Sequence, residues 1–304
     1  MDAEKAAMHA GSLSLDAFLR RRSGDRRLAR LTHDVALPKG YGLEFGPAAN
    51  PTSLPDGLKV SYVDHARDAH AGLAGAAPID HAWAGSGSLA AVLGQTGYDF
   101  AIAAQVAQYV PNLLGWFRGI HAVLRPGGVL NIALPDQRFM FDVGRAHSTI
   151  AELVEADLLS YTRPSPRQLF AHTHEARALE PAQIWAGEDP AQAPRFCGEA
   201  SLSLAFLRAK EEIETGHYVD CHCWVFTPLS FLDAVEGATL LGLFPFVLNQ
   251  IGGSEPGAFE FYVSMRRAVE EDPQTRSGMQ STAISHLRTI LERQRRMAAL
   301  MGKC

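Results

Sequence analysis

GLEFGPAANP (residues 42–51) and KVSYVD (residues 59–64) decide the fold. Each opens as a short apolar run of strand length. The first ends at Gly46 and the second at Asp64, eighteen residues later. A glycine at the exit of a strand lets a ligand approach the backbone, since a Cβ would collide with it. An acid at the end of the next strand can accept hydrogen bonds from both hydroxyls of a ribose. The pair points to an adenosine ligand. A nicotinamide dinucleotide wants further glycines for its pyrophosphate. Ala48 and Ala49 stand there instead, followed by Pro51, which favours a nucleoside without phosphates.

Working outward, strands and helices alternate. PIDHAW (78–83) reads as a weaker third strand, YDFAIAA (98–104) as a fourth and GGVLNIAL (127–134) as a fifth, with a helix over 113–124. This alternation predicts a parallel sheet with helices on both faces, an α/β doubly wound Rossmann-like sheet. Its ligand belongs beyond the carboxyl ends of the strands. Residues 135–226 break the rhythm. They are rich in Pro, His and Ala and are too long for a loop, so they read as an inserted cap with helices near 147–160 and 201–214. TPLSFLDAVEGATLLG (227–242) then begins with a Thr N-cap and a Pro at the first helical position. LFPFVLNQI (243–251) and AFEFYVSMRR (258–267) close the sheet, the last strand antiparallel. The divisions are therefore 1–39, a helical extension; 40–134, the cofactor half; 135–226, the cap; 227–267, the end of the sheet domain; and 268–304, a basic C-terminal helix. The arginine-rich stretch from Ser14 to Arg30 reads as one amphipathic helix.

The 304 residues are 47% hydrophobic, ample for a real core. Lys+Arg 28 against Asp+Glu 33 gives a net charge of −5, no footprint for a nucleic-acid-binding surface. Four cysteines (Cys197, Cys221, Cys223 and Cys304) are too few for a secreted disulfide scaffold. MDAEKAAMHAGSLSLD holds no apolar run of signal-peptide length, and the charge-free stretch between Glu236 and Glu255 is broken by Gly, Pro, Asn and Gln. The expectation is a cytoplasmic protein with no membrane span. The two basic terminal helices offer surface for a homodimer.

Further motifs follow in order: VLRPGG at 123–128 and a strand ending Pro135-Asp136. With LExGP…NP, YVD and FDxxIA before them, the chain resembles the S-adenosylmethionine-dependent methyltransferases of the Rossmann-like class. PDQRFMFD (135–142) and TGHYVDCHCWVFTPLSF (215–231) resemble a subfamily associated with carbohydrate and glycosyltransferase genes. The resemblance spans about residues 40 to 267. It implies that Glu44, Gly46 and Pro47 line the methionine and ribose end of the cofactor and that Asp64 holds the ribose. Trp83, Gly85 and Ser86 would sit near the adenine, and Ala104 and Gln105 near the methionine. The implied acceptor is a sugar or glycoconjugate hydroxyl. One departure stands out. Where relatives carry a pattern like SHVIEHVPD, this chain reads AQVAQYVPN (104–112), without its histidines and acids. That leaves a binding protein that has lost catalysis as the alternative.

A hydroxyl acceptor needs a base, and histidine suits the task with a pKa near ~6.5. His172, His174, His217 and His222 are the candidates. His222 leads, with His217 and Asp220 beside it; the plainer reading is a buried histidine that fixes the cap. If the segment is extended, Asp220 and His222 point one way and Cys221 and Cys223 the other. Asp136 is a second base candidate or, more plainly, a turn cap. Arg138 and Asp142 would pair with each other or with a polar substrate, and Tyr109 is a further substrate contact. The His/Cys cluster at 217–223 matches no common zinc spacing, so no metal is expected.

Overall fold

The computed structural model describes residues 13–70 and 72–301, with side chains to residue 297. The first twelve residues of the expected extension and Cys304 lie outside the described residues. The chain opens with α1 (Leu15–Gly24) and α2 (Arg26–Leu31), then β1 (Gly40–Phe45), β2 (Leu58–Asp64) and β3 (His81–Ala82). Next come α3 (Leu89–Leu93), β4 (Tyr98–Ala104), α4 (Leu113–Val123) and β5 (Leu124–Pro135). The inserted segment carries α5 (Ile150–Leu158), α6 (Pro166–Glu175), α7 (Pro181–Trp185) and α8 (Ser201–Thr215). It is followed by α9 (Pro228–Leu240), β6 (Val247–Gly252), β7 (Glu260–Arg266) and α10 (Pro273–Met301).

The seven strands lie in the order β3-β2-β1-β4-β5-β7-β6. β1 to β5 pair in parallel, and β7 is antiparallel to both neighbours. This is the doubly wound, mostly parallel sheet with an antiparallel last strand that the sequence predicts. The strand order reverses between β1 and β4, where a crevice opens at the carboxyl ends. No helix among the described residues is long and apolar enough to cross a membrane.

Side-chain alternation splits the core into two layers. Ala101 and Ala103 of β4, with Leu130, Ile132 and Leu134 of β5, face the larger cluster, which includes α3, α4, α5, α9 and the buried side of α10. Phe100, Ile102, Val129 and Ala133 face the other way, onto Phe18, Leu28 and Leu31. The N-terminal arm is thus one covering layer of the sheet. Asn131 fastens it: its buried amide donates to the carbonyls of Leu31 and His33, at 3.1 and 2.9 Å.

Two local expectations change. The Ser14–Arg30 stretch is two helices rather than one. Asp25 leaves the helical conformation and its carboxylate caps α2 by accepting from the Leu28 amide at 2.9 Å. The third strand shrinks to two residues, because the carboxylate of Asp80 turns back to accept the Tyr62 amide at 2.8 Å. α9 begins as its sequence predicts. The Thr227 hydroxyl accepts from the Ser230 amide at 3.2 Å, and Pro228 holds the first helical position. Thr227→Ala should therefore cost about 1 kcal/mol. Urea unfolding should show a lower midpoint with an unchanged m-value.

Candidate active site

A cavity of about 520 Å³ opens at the strand-order reversal. One wall comes from the β1 exit. Gly46 has φ +58, and its amide donates to the Val63 carbonyl at 2.9 Å. A Cβ here would lie 2.5 Å from Val106 Cγ2. Gly46 is thus required by its left-handed backbone and by the neighbouring turn, whatever approaches it from the cavity. Ala48, also lining the cavity, has φ +45. Glu44 does not line the cavity. Its Oε1 accepts from the amide and hydroxyl of Thr52, both at 2.8 Å, and so ties down the loop that carries Gly46 and Pro47.

Asp64 ends β2 in the cavity wall and is only 9% exposed. Its carboxylate holds two imidazoles. Oδ1 meets the amide and Nδ1 of His65 at 2.7 and 3.0 Å, and Oδ2 meets Nε2 of His70 at 3.1 Å. The hydrogen bond that His65 gives to Asp64 raises the His65 pKa; burial opposes it, and the charges of Asp64, Asp220 and Asp68 add to it. The His65 ring stacks on Tyr218, 5.3 Å between centroids. The apolar end is built from Phe45, Trp83, Gly85, Val110 and Trp116. Trp83 Nε1 donates to the carbonyl of Ser86 at 2.8 Å; Ser86 itself stands outside the lining, as does Pro47. Gly85 has φ +82, and a Cβ there would press on Val110 at 2.9 Å.

The third wall follows β4: Ala104, Gln105, Val106 and Tyr109. Gln105 has φ +61, unusual for a residue with a side chain. The insert completes the mouth with Thr162, Tyr218 and Asp220. Asp220 is exposed, and its charge reaches both tyrosines and His65. Burial first, then Asp220 and Asp142, push the Tyr109 hydroxyl up to about 12. Tyr218 rises further, for burial and for Asp220. Both stay neutral donors at ordinary pH.

The base candidates from the sequence fall elsewhere. His222 is 2% exposed and lies behind Tyr109, whose ring it meets edge-on at 4.8 Å. Its Nδ1 is 2.5 Å from Asp142 Oδ2. Arg145 donates to Asp142 Oδ1 at 2.8 Å and to the His222 carbonyl at 2.9 Å. Both oxygens of Asp142 are thus taken inside the protein, and the residue lies outside the cavity lining. Burial alone would raise its carboxyl; His222 and Arg145 outweigh that and hold it below the usual range. Asp136 is fully buried between Arg138, at 2.9 and 2.6 Å, and the Ser254 hydroxyl at 2.8 Å. Arg138 thus pairs with Asp136 instead of Asp142. His217 is exposed and outside the lining. Among the described residues, no group of three His, Cys, Asp or Glu is placed to hold a metal ion. His65, His70, Tyr218, Val106 and Thr162 were not singled out from the sequence. Only His65 gave a signal, as a histidine directly after the strand-end acid.

No protein-family model matches the chain, and no curated protein matches it in sequence. Solved structures match the chain at low similarity. A Rhodobacter sphaeroides protein named for the Zn-dependent alcohol dehydrogenases is 12% identical over 80% of this chain and 90% of its own, with a TM-score of 0.43. An S-adenosylmethionine-dependent methyltransferase from Mesorhizobium loti is 16% identical over 81% of this chain and 100% of its own, with a TM-score of 0.40. The N-methyltransferase NodS from Bradyrhizobium japonicum, in complex with S-adenosylhomocysteine, is 13% identical over 82% and 87%, with a TM-score of 0.36.

The buried cluster has a pH signature. Burial first, then the neighbouring His222 and Arg145, lower the His172 pKa to about 4. The unfolded chain takes up that proton near pH ~6.5. Stability is thus full above pH ~6.5 and falls as pH drops toward 4, because only the unfolded state gains the proton. His172→Gln should flatten this decline without abolishing it. His121, also lowered to about 4 by burial and by Arg267 and Arg276, keeps the remainder. Urea midpoints of both proteins at pH 7 and pH 4.5 check it. Asp142→Ala should cost about 3–5 kcal/mol at pH 7, because it strands Arg145 in the interior.

Proposed function

We propose that the cavity binds S-adenosylmethionine and that the protein transfers its methyl group to a small polar acceptor, a sugar or glycoconjugate hydroxyl. The observation that carries this reading is Asp64. It is a nearly buried carboxylate at the end of β2, facing the cavity beside the left-handed Gly46 loop at the strand-order reversal. A ribose diol would take both of its oxygens in place of His65 and His70. The apolar end at Phe45, Trp83 and Trp116 suits an adenine, and a Cβ on Gly46 or Gly85 would distort the cradle.

When bound, the cofactor supplies a methyl carbon already activated by a sulfonium. The protein then has to orient the acceptor, exclude water and accept one proton. Tyr109, Tyr218 and Thr162 present hydroxyls at the mouth, and Asp220 presents the exposed carboxylate. Asp220 would accept the proton that the acceptor hydroxyl gives up, while the bound cofactor would supply the methyl group and carry away the sulfur. Alignment supplies the larger share, up to about 7–11 kcal/mol in the best intramolecular cases. His222 acts from behind, by fixing Tyr109. Among the described residues lining the cavity none is Lys or Arg, and the two imidazoles there are held on Asp64, which fits an acceptor without phosphate or carboxylate groups.

A second reading is a binding protein without turnover. The observation favouring it is the turn after β4, where Gln105 and Gln108 hydrogen-bond each other at 3.1 Å and offer no titratable group. The two readings part on Asp220→Asn. In the enzyme, this variant keeps S-adenosylhomocysteine affinity and loses methyl transfer to neutral glycosides by at least about a hundredfold, the low end of general-base effects. A wild-type protein that binds the ligand but methylates no neutral glycoside would leave the binding reading standing.

Calorimetric titration with S-adenosylhomocysteine should give micromolar affinity, about −8 kcal/mol, lost in Asp64→Ala. Affinity should rise with pH through the His65 titration, because the protonated ring holds Asp64 most strongly. The double variant His65→Asn/His70→Asn should bind with a flat pH profile. No binding by the intact, folded protein would sink the proposal.

A further inference from the structure

The strained turn of the cavity wall is held from outside the cavity. Gln105 follows the last residue of β4, and its amide still reaches the Ala133 carbonyl of β5 at 3.0 Å. Its φ of +61 then throws the chain into the turn that carries Val106 and Tyr109. Val106 is the residue pressed against Gly46, at 2.5 Å from the site of a Cβ, so the pitch of this turn sets the gap between two cavity walls. A side-chain-bearing residue keeps such a backbone only where its surroundings over-determine it.

The surroundings are specific. Gln105 Nε2 donates to Glu260 Oε2 at 2.8 Å, and Gln105 Oε1 accepts from Gln108 Nε2 at 3.1 Å. Glu260 is 6% exposed and opens β7, paired with Pro135. Its other oxygen receives Arg27 Nε at 2.8 Å and the Tyr262 hydroxyl. Arg27 belongs to α2, on the arm that covers the opposite layer of the sheet. A line of polar contacts thus runs from the arm, through the sheet edge, to the wall of the site.

We propose that Glu260, backed by Arg27, is a positioning residue that keeps Gln105 left-handed and so sets the cofactor wall at Val106. It touches no ligand. Its role rests on the adenosyl reading of the cavity only in what it is for; the conformational part stands on the geometry alone. Glycine adopts φ +61 without strain, so a glycine at position 105 has no need of Glu260.

The test is a double-mutant cycle with Glu260→Ala and Gln105→Gly, read by thermal melting and by S-adenosylhomocysteine titration well below the melting temperature. Glu260→Ala in the parent should lower the melting temperature and weaken affinity about tenfold. In the Gln105→Gly background the same change should lose less than half as many degrees and less than about twofold in affinity. Arg27→Ala should move both readouts in the same direction by less, because Arg27 is half exposed while Tyr262 and Gln105 still hold Glu260. If Glu260→Ala fails to fold, the cycle is run with Arg27→Ala. Equal losses in both backgrounds, or a parent whose affinity ignores both substitutions, would overturn the proposal. A parent that binds no S-adenosylhomocysteine while melting stays coupled would remove the adenosyl reading and leave the conformational part standing.

Discussion

The mouth of the cavity depends on one buried carboxylate. Asp142 lies almost wholly out of water with Arg145 on one oxygen and His222 on the other. A charge so placed is tolerated only with its partners in position, and removing one strands the rest. The constraint propagates. Arg145 also holds the His222 carbonyl, and the His222 amide approaches His172 Nδ1 at 3.4 Å. The extended segment before α9 is thereby pinned at its centre. Cys221 and Cys223 turn into the main core, and Asp220 is left in the cavity wall. The site residues of the insert are placed by an interaction that never touches the cavity.

The sheet was legible because its information is local. Apolar runs at 42–45, 59–64 and 98–104, punctuated by glycines and acids, mark strands whatever the tertiary context. The N-terminal arm was less so. Between Arg20 and Arg30 the arginines mask an apolar face that in the structure buries Phe18, Leu28 and Leu31 against the sheet. Nothing in the stretch itself says that Phe100 and Ile102 wait for it. The break at Asp25 could have been read, since an Asp three residues before Leu28 is an N-cap signal.

The cavity wall was legible in part for the same reason. Gly46, Asp64, Gly85, Ala104 and Gln105 follow or end recognisable elements, and the topology carries those ends to one crevice. The insert was not, because its chemistry depends on pairing. His222 and Asp142 are eighty residues apart and meet at 2.5 Å. A histidine and an aspartate near strand ends look alike in sequence whether they face a ligand or each other. Asp136 illustrates this best: it sits where ligands gather, and Arg138, two residues on, closes over it from within the same turn.

The pairing also explains the charge of the cavity. Residues 136–226 contain eight basic side chains, and all are engaged within the protein. Arg138, Arg145, Arg163, Arg167 and Lys210 face carboxylates. Arg177 and Arg195 hold backbone carbonyls, and Arg208 reaches the Thr173 hydroxyl. The insert has spent its cations on its own architecture, which is what a segment with little regular core needs in order to keep one shape. Among the described residues no Lys or Arg pairs with Asp220; Tyr218 hydrogen-bonds it, and the tyrosines around it are held neutral by burial and by that same charge. The mouth therefore sets neutral tyrosine hydroxyls around the hydrogen-bonded Asp220 carboxylate, with His65 stacked beside them. The gap between the cavity walls, at Val106 against Gly46, and the place of Asp220 in the mouth are both set by contacts made outside the cavity.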